Sequence, residues 1–205
     1  CIRDRPRTGE GIDIWDPFAV PDLRRVTDIW RELAHAAGLK GLFLVGRGLD
    51  PAEVGVFGCD AANYEYVHRI RALKPRLPLL GDWAYPYRVR RLLRRPIIYS
   101  YAEVLPYLLK PGRAADNDYP TVVPNWDSTP RALYSGMVYQ DATPELYGGH
   151  LRNALATVAH RPLEHRLIFV KSWNEWGEGN YLEPDRKYGR AYLEVTRDGV
   201  YGRPG

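Results

Sequence analysis

The chain has 205 residues, 45% hydrophobic and 12% aromatic, so it can bury a real core, and wholesale disorder is excluded. Its formal net charge of +4 comes from basic residues spread along the chain without a nucleic-acid motif, which argues against a nucleic-acid partner. Two cysteines are too few for a disulfide framework or a zinc site, and no apolar run approaches the ~20 residues of a membrane helix.

The first residue is Cys1, and the single methionine is Met137. We therefore expect a piece of a longer protein, with residues 1–205 forming one partial catalytic domain. No charged start followed by an apolar run marks a signal peptide, so the expected location is cytoplasmic.

The first part of the chain alternates between strand and helix patterns. Residues 11–15 alternate briefly and form a candidate short strand. After Pro21-Asp22, apolar residues recur every three or four positions as far as Gly38, which predicts a helix. The apolar run 39–45 follows directly and is typical of a strand covered on both faces. This rhythm of helix, short link and buried strand indicates a parallel α/β protein.

Further elements are predicted along the rest of the chain. Strands are predicted at 54–60, 119–124 and 166–171. Helices are predicted at 85–93, 101–109, 143–159 and 190–196. The arginine-rich segment 88–95 fits the exposed face of a helix. Asp60 and Glu65 are possible site residues, but the interpretation we favour is that both are loop acids or caps.

Polar and aromatic residues gather where the last predicted strand ends. The segment 173–185 reads WNEWGEGNYLEPD and holds three glutamates, an aspartate and two tryptophans. Indole faces can stack on sugar rings, and carboxyl groups can move protons at a glycosidic oxygen. A solvated acidic turn after a strand explains the same composition.

A second segment, PNWDSTPR at 124–131, also places Trp and Asp after a predicted strand. In parallel α/β folds, ligands collect at the carboxyl ends of the strands. The sequence shows no glycine-rich phosphate loop, nucleophile elbow or Ser/His/Asp arrangement, and its five histidines share no metal-ligand spacing. Carboxylates are therefore the credible catalytic groups, and no metal or cofactor is expected.

The segments 173–185 and 124–131 together resemble the WbsX-type family, whose members are described as glycosyltransferases of surface-polysaccharide clusters. This family is related to the family-99 glycoside hydrolases, the endo-α-mannosidase group. The resemblance includes the segment 30–34 and Gly38 and extends over nearly all of the chain. It implies a (β/α)8 barrel, of which this chain would hold the C-terminal portion, incomplete and with about four to five parallel strands.

The resemblance also implies catalytic roles. In the hydrolase relatives a Glu-Trp-x-Glu motif supplies both catalytic carboxyls, and Glu175 and Glu178 match it. The implied reaction retains configuration: Glu175 deprotonates the sugar 2-hydroxyl, and Glu178 protonates the leaving oxygen and then activates water. Residues three apart on a helical turn bring their carboxyls within about 5–6 Å. Gly177 stands where the hydrolases usually carry histidine, which points away from mannosides as substrates.

The substrate is expected to be an oligo- or polysaccharide. The candidate substrate-binding residues are Trp126, Asp127, Arg131, Trp173, Asn174, Trp176 and Tyr181. Asp127 would accept hydrogen bonds from hydroxyls and Arg131 would orient the substrate, but structural roles fit both residues and Trp126 equally well. Glu183 and Asp185 are interpreted as turn and capping residues.

Two other functions stay open on the sequence. A nucleotide-sugar-dependent glycosyltransferase would bring a diphosphate site and often a metal-binding acidic motif, neither of which is visible in these residues. An inactive carbohydrate-binding remnant would keep the aromatic residues without the chemistry.

Overall fold

The fold is given by a computed structural model, which describes residues 10–63, 70, 94–109 and 115–202. The predicted helix 85–93, most of the arginine-rich segment and Glu65 lie outside these residues. The chain divides into two compact units. Unit 1 comprises Cys1–Glu65, Gly112–Pro120 and Thr157–Phe169. Unit 2 comprises Tyr66–Pro111, Thr121–Ala156 and Val170–Gly205.

Unit 1 is built on a parallel sheet. Its strands β1 (Glu10–Ile14), β2 (Leu42–Arg47) and β3 (Ala61–Asn63) lie side by side in that order. Helix α1 (Leu23–Ala36) connects β1 to β2, as a crossover between parallel strands requires. The first two predicted strands and the first predicted helix are therefore confirmed, with shifted ends.

The core of unit 1 lies between α1 and the sheet. Its buried side chains include Ile14, Leu23, Leu44, Leu49 and Val54. Asp60 lies directly before β3 and contacts both β2 and α1. Its carboxylate accepts hydrogen bonds from the Leu44 N–H at 2.7 Å and from Arg31 Nη2 at 2.9 Å. These contacts agree with the favoured interpretation of Asp60 as a structural acid.

The prediction of a strand at 54–60 is wrong, because this segment is a series of turns. The N–H groups of Val56, Phe57 and Gly58 each donate to the carbonyl three residues earlier. Gly58 has a φ of 72°, which belongs to a turn and not to an extended strand. Val54 and Cys59 reach the core from these turns, and this burial explains why the segment is apolar.

Unit 2 combines short strands with most of the helices. Strands β4 (Ile97–Ser100) and β6 (Met137–Gln140) pair in parallel, and neither was predicted. Strand β5 (Thr121–Val122) and strand β7 (Phe169–Val170) fall within predicted strands but are shorter. The helices of the unit are α2 (Tyr101–Leu108), α3 (Thr129–Ala132), α4 (Pro144–Val158) and α5 (Ala191–Tyr201). Helices α2, α4 and α5 confirm predicted helices.

The start of α4 shows why its prediction was sound. Pro144 occupies the first helical position, and the Thr143 hydroxyl caps the helix by accepting from the Leu146 N–H at 3.3 Å. Its buried residues include Tyr147, His150 and Leu151.

The described residues thus form a mixed α/β structure with parallel strands in small sheets, and these sheets do not close a barrel. The expectation of one partial catalytic domain stays a prediction. In the described part of the chain, we find no helix with the length and hydropathy needed to span a membrane.

Candidate functional site

The segment 173–185 forms a β-hairpin in unit 2. Strands β8 (Asn174–Glu175) and β9 (Asn180–Tyr181) are antiparallel, and a 3-10 turn, Trp176–Glu178, joins them. Gly179 closes the turn with a φ of 52°, and its N–H donates to the Trp176 carbonyl at 3.1 Å. Glu175 therefore ends the first strand, and Glu178 ends the turn.

The base of the hairpin is held by a set of hydrogen bonds. Ser172 Oγ donates to the Asn180 carbonyl at 2.7 Å and accepts from the Glu175 N–H at 3.1 Å. Asn180 is fully buried, and its Nδ2 donates to the Asn125 carbonyl at 2.6 Å. The Tyr181 N–H donates to Asn125 Oδ1 at 2.9 Å. The two Trp-containing segments are thus joined through Asn125.

Asp127 makes further contacts between these two segments. Its N–H donates to the Glu178 carbonyl at 2.8 Å. A Cβ atom placed on Gly179 would lie 2.8 Å from the Asp127 carbonyl oxygen, so only glycine fits this contact. Asp127 Oδ1 accepts from the N–H and the hydroxyl of Thr129, at 2.9 and 2.6 Å. This oxygen is thus bonded to Thr129, the first residue of α3.

The two glutamates have different surroundings. Glu178 Oε1 lies 3.0 Å from Arg131 Nη1, and the Glu178 side chain is 25% exposed while that of Arg131 is 64% exposed. The Glu175 side chain is exposed, and no hydrogen bond to its carboxylate is found among the described residues. A Cβ atom on Gly177 would lie 3.0 Å from Glu175 Oε1. One carboxylate is therefore held by a cation, and the other is open to a ligand.

Aromatic rings cover the same hairpin. Trp176 stacks on Tyr181 with ring centroids 3.8 Å apart and an interplanar angle of 13°. Its Nε1–H donates to Glu183 Oε2 at 2.7 Å. Trp173 and Trp176 are 55% and 46% exposed, respectively. Large exposed indole faces are uncommon on surfaces without a binding role, so they are available to stack on a ring.

A pocket of about 920 Å³ lies in unit 2 beside this hairpin. Four of the predicted site residues line it: Trp126, Asp127, Trp176 and Tyr181. Glu175, Glu178 and Arg131 are not among its lining residues, nor are Trp173 and Asn174. The structure thus brings the predicted residues to one hairpin but distributes them between its exposed turn and a pocket.

Several pocket residues were not predicted as site residues. Asp141 directly follows β6 and lines the pocket with Lys187 and Tyr188. Asp141 was missed because β6 was not predicted, whereas Lys187 and Tyr188 lie just beyond the segment 173–185. Asp185 also lines the pocket and has the capping role expected of it, since its carboxylate accepts hydrogen bonds from the Tyr188 N–H and the Tyr181 hydroxyl.

Tyr181 is the titratable group of the hairpin most affected by its surroundings. Burial, followed by the negative charge of Asp185 and the hydrogen bond to it, raises the pKa of Tyr181 to about 12. Its hydroxyl therefore stays protonated at neutral pH and donates to Asp185 Oδ2 at 3.2 Å. Among the residues that the structure describes, no group of three or more His, Cys, Asp or Glu side chains is arranged to hold a metal ion.

Comparison with known proteins identifies one family. The model of the family described as Glycosyltransferase WbsX matches residues 9–196. Two curated proteins, each named Uncharacterized protein WxcX and from two strains of Xanthomonas campestris pv. campestris, are 41% identical over 87 residues. The match covers 42% of this chain and only 12% of the length of each relative. No solved structure matches the chain.

Proposed function

Because the chain belongs to the WbsX glycosyltransferase family, we propose that it acts on glycosidic bonds of a polysaccharide in surface-polysaccharide metabolism. The observation that carries this proposal is the hairpin turn Trp176–Glu178. The turn and the residues directly before it carry an open carboxylate, Glu175, an arginine-paired carboxylate, Glu178, and the exposed indoles of Trp173 and Trp176. This combination of ring faces and proton-transfer groups is what glycosidic chemistry needs.

The proposed reaction uses the two carboxylates in turn, with roles taken from the hydrolases that the motif resembles. Glu175 accepts the proton of the sugar 2-hydroxyl as that oxygen bonds to the anomeric carbon. The bond from the anomeric carbon to the leaving oxygen breaks, and Glu178 gives this oxygen its proton. Glu178 then takes a proton from water, which opens the epoxide-like intermediate, and the 2-hydroxyl oxygen regains a proton from Glu175. Two inversions leave the configuration retained.

The contact with Arg131 supports a division of roles between the two oxygens of Glu178. Arg131 Nη1 is bound to Oε1, which leaves Oε2 available to exchange the proton with the leaving group. Arg131 thus acts as a positioning residue for Glu178. Trp173 and Trp176 supply exposed ring faces for the sugar, and Tyr181 stacks on Trp176 and fixes its ring.

We also propose that the parallel strands belong to the C-terminal portion of a (β/α)8 barrel. Two features support this proposal. The strands β1, β2 and β3 are adjacent in chain order and parallel, as successive barrel strands are. The two Trp-containing segments follow β5 and β7 directly, at the carboxyl ends where barrel enzymes place their active sites.

A test of the chemistry uses Glu175→Gln and Glu178→Gln on a polysaccharide that the protein cleaves. Each variant is expected to lose about 10²–10⁴-fold in kcat, because each removes a proton-transfer group. Product configuration followed by NMR should show retention. Glu164→Gln, which removes a carboxyl of unit 1, is the control and should keep the wild-type rate.

Three results would contradict the proposed reaction, and two of them would identify another function. Wild-type rates in both glutamine variants would overturn the catalytic assignment. Consumption of a nucleotide sugar with release of the nucleotide would establish the transferase function that the family description favours. Saturable binding of polysaccharide without any bond cleavage or transfer would indicate an inactive carbohydrate-binding protein.

A further inference from the structure

The pocket beside the hairpin is separate from the proposed reacting carboxylates. Its volume of about 920 Å³ lies within the ~300–1,000 Å³ that ligand pockets occupy. Neither Glu175 nor Glu178 is among its lining residues. A ligand group that contacts only the lining residues would therefore not touch either carboxylate, although Trp176 of the same hairpin belongs to the lining.

Asp141 is the acidic group of this pocket whose carboxylate makes no hydrogen bond within the described part of the chain. It directly follows β6, at the carboxyl end of a strand in a parallel pair, where ligands collect. Its φ of 61° is uncommon for a residue other than glycine, and such conformations cluster at functional sites. By contrast, the carboxylate of Asp127 is bonded to Thr129.

Lys187 is the donor that accompanies Asp141. Its ammonium group lies 4.7 Å from the centroid of the Tyr188 ring and interacts electrostatically with Asp141 and Asp185. Tyr188 is fixed by a hydrogen bond from its hydroxyl to the Ala142 carbonyl at 3.1 Å. The pocket thus combines an acceptor, a donor and a positioned aromatic ring, the set that a sugar with its hydroxyls and apolar face requires.

The charge of the lining argues for a neutral ligand. Three acidic residues line the pocket against two basic ones: Asp127, Asp141, Asp185, Arg186 and Lys187. An anionic sugar or a diphosphate would meet a lining without excess positive charge, whereas hydroxyl groups can donate to the carboxylates at no electrostatic cost.

We propose that the pocket binds a neutral sugar unit of the polysaccharide other than the unit undergoing reaction. Asp141 accepts hydrogen bonds from adjacent hydroxyls of this unit, and Lys187 donates to a ring or hydroxyl oxygen. The aromatic wall that includes Trp126 and Tyr188 contacts its apolar face. This inference rests on the proposed function, because it assigns a second unit of the same polymer.

The test measures sugar binding to the whole chain by saturation-transfer difference NMR. The probes are the methyl α-pyranosides of glucose, mannose and galactose, with methyl glucuronide as the anionic comparator. At least one neutral glycoside is expected to bind. Asp141→Asn, which keeps a residue that tolerates the left-handed conformation, and Lys187→Met should each weaken this binding by about tenfold.

Glu53→Gln, which removes an exposed carboxyl in unit 1, is the control and should bind as the wild type does. Binding of the glucuronide alone, no binding of any neutral glycoside, or unchanged binding in both pocket variants would each overturn the proposal. Failure of the pocket proposal can be distinguished from failure of the catalytic assignment. Full activity in Glu175→Gln together with lost binding in Asp141→Asn would remove the proposed reaction and keep the pocket.

Discussion

Among single residues, Arg131 is one whose substitution should change activity more than stability. Its contact with Glu178 is 3.0 Å long, but the guanidinium side chain is 64% exposed. Exposed ion pairs contribute only ~0.2–1 kcal/mol to folding, because water screens the charges and the side chains lose freedom. The arrangement therefore orients the Glu178 carboxylate without adding much stability.

We expect Arg131→Met to lower kcat about tenfold or more while changing the free energy of unfolding by less than about 1 kcal/mol. Urea denaturation and steady-state kinetics on a cleaved polysaccharide measure the two effects. Arg131→Lys should recover part of the activity, since it restores a cation without the fixed guanidinium geometry. Arg197→Met breaks a pair with Asp198 whose side chains are 60% and 28% exposed, close to the values of the Arg131 pair, and is the matched control. A kcat that is equal in all variants would exclude the positioning role.

Gly177 shows what the sequence could reveal at this scale and what it could not. The sequence shows a glycine, Gly177, between Trp176 and Glu178. The structure adds that a Cβ atom here would stand 3.0 Å from Glu175 Oε1, and this contact depends on a turn that no residue pattern specifies. The family resemblance singled out the glutamate pair, whose catalytic role stays a prediction, and the unequal surroundings of the two carboxylates required coordinates.

At the scale of secondary-structure elements, periodicity located helices better than it identified their buried faces. Helix α1 was predicted from apolar spacing, yet Leu33 in that stripe is 63% exposed and Thr27 is fully buried. The Thr27 hydroxyl can be buried because it donates to the Arg24 carbonyl at 2.7 Å. Propensity and period fix the helix, but the choice of buried side chains depends on what covers it.

The hairpin allows a matched comparison of two left-handed glycines. Gly179 has a φ of 52° and Gly189 a φ of 55°. A Cβ on Gly179 would meet Asp127 atoms at 2.8–3.0 Å, whereas a Cβ on Gly189 would have no neighbour within 4 Å. Gly189→Ala should therefore cost only the left-handed conformation, ~1–2 kcal/mol, and Gly179→Ala an additional ~1–3 kcal/mol for overpacking. Urea denaturation measures both, and equal losses would show that the hairpin does not rest on Asp127.

For the chain as a whole, the local sequence predicted the α/β fold class but not which residues come together in the pocket. The parallel pairing of β1 with β2, with helix α1 between them, followed from the apolar pattern of residues 11–45. The pocket did not, because Asp141 and Lys187 are distant in sequence and share no motif. Strand β6, which delivers Asp141, has only four residues and mixes apolar with polar side chains, so no pattern marks it.

The buried His150 should make the stability of the folded protein depend on pH. It lies in α4, is 2% exposed, and no described group bonds its Nε2. Burial lowers the pKa of His150 from 6.5 to about 4, so the folded protein keeps the imidazole neutral where the unfolded chain is protonated. The unfolded state binds more protons between these values. The stability contribution is therefore complete above pH 6.5 and falls as the pH drops toward 4.

The lost free energy of unfolding should reach roughly 2–3 kcal/mol at pH 4, because each unit of pKa difference corresponds to about 1.4 kcal/mol. Urea denaturation at pH 7.5 and pH 4.5 should show a smaller loss for His150→Met, which cannot take up this proton, than for the wild type. His35→Gln removes an exposed histidine and should keep the wild-type dependence. If His150→Met lost as much stability as the wild type over this interval, acid sensitivity would have to originate in other groups, and the buried imidazole would be a packing residue alone.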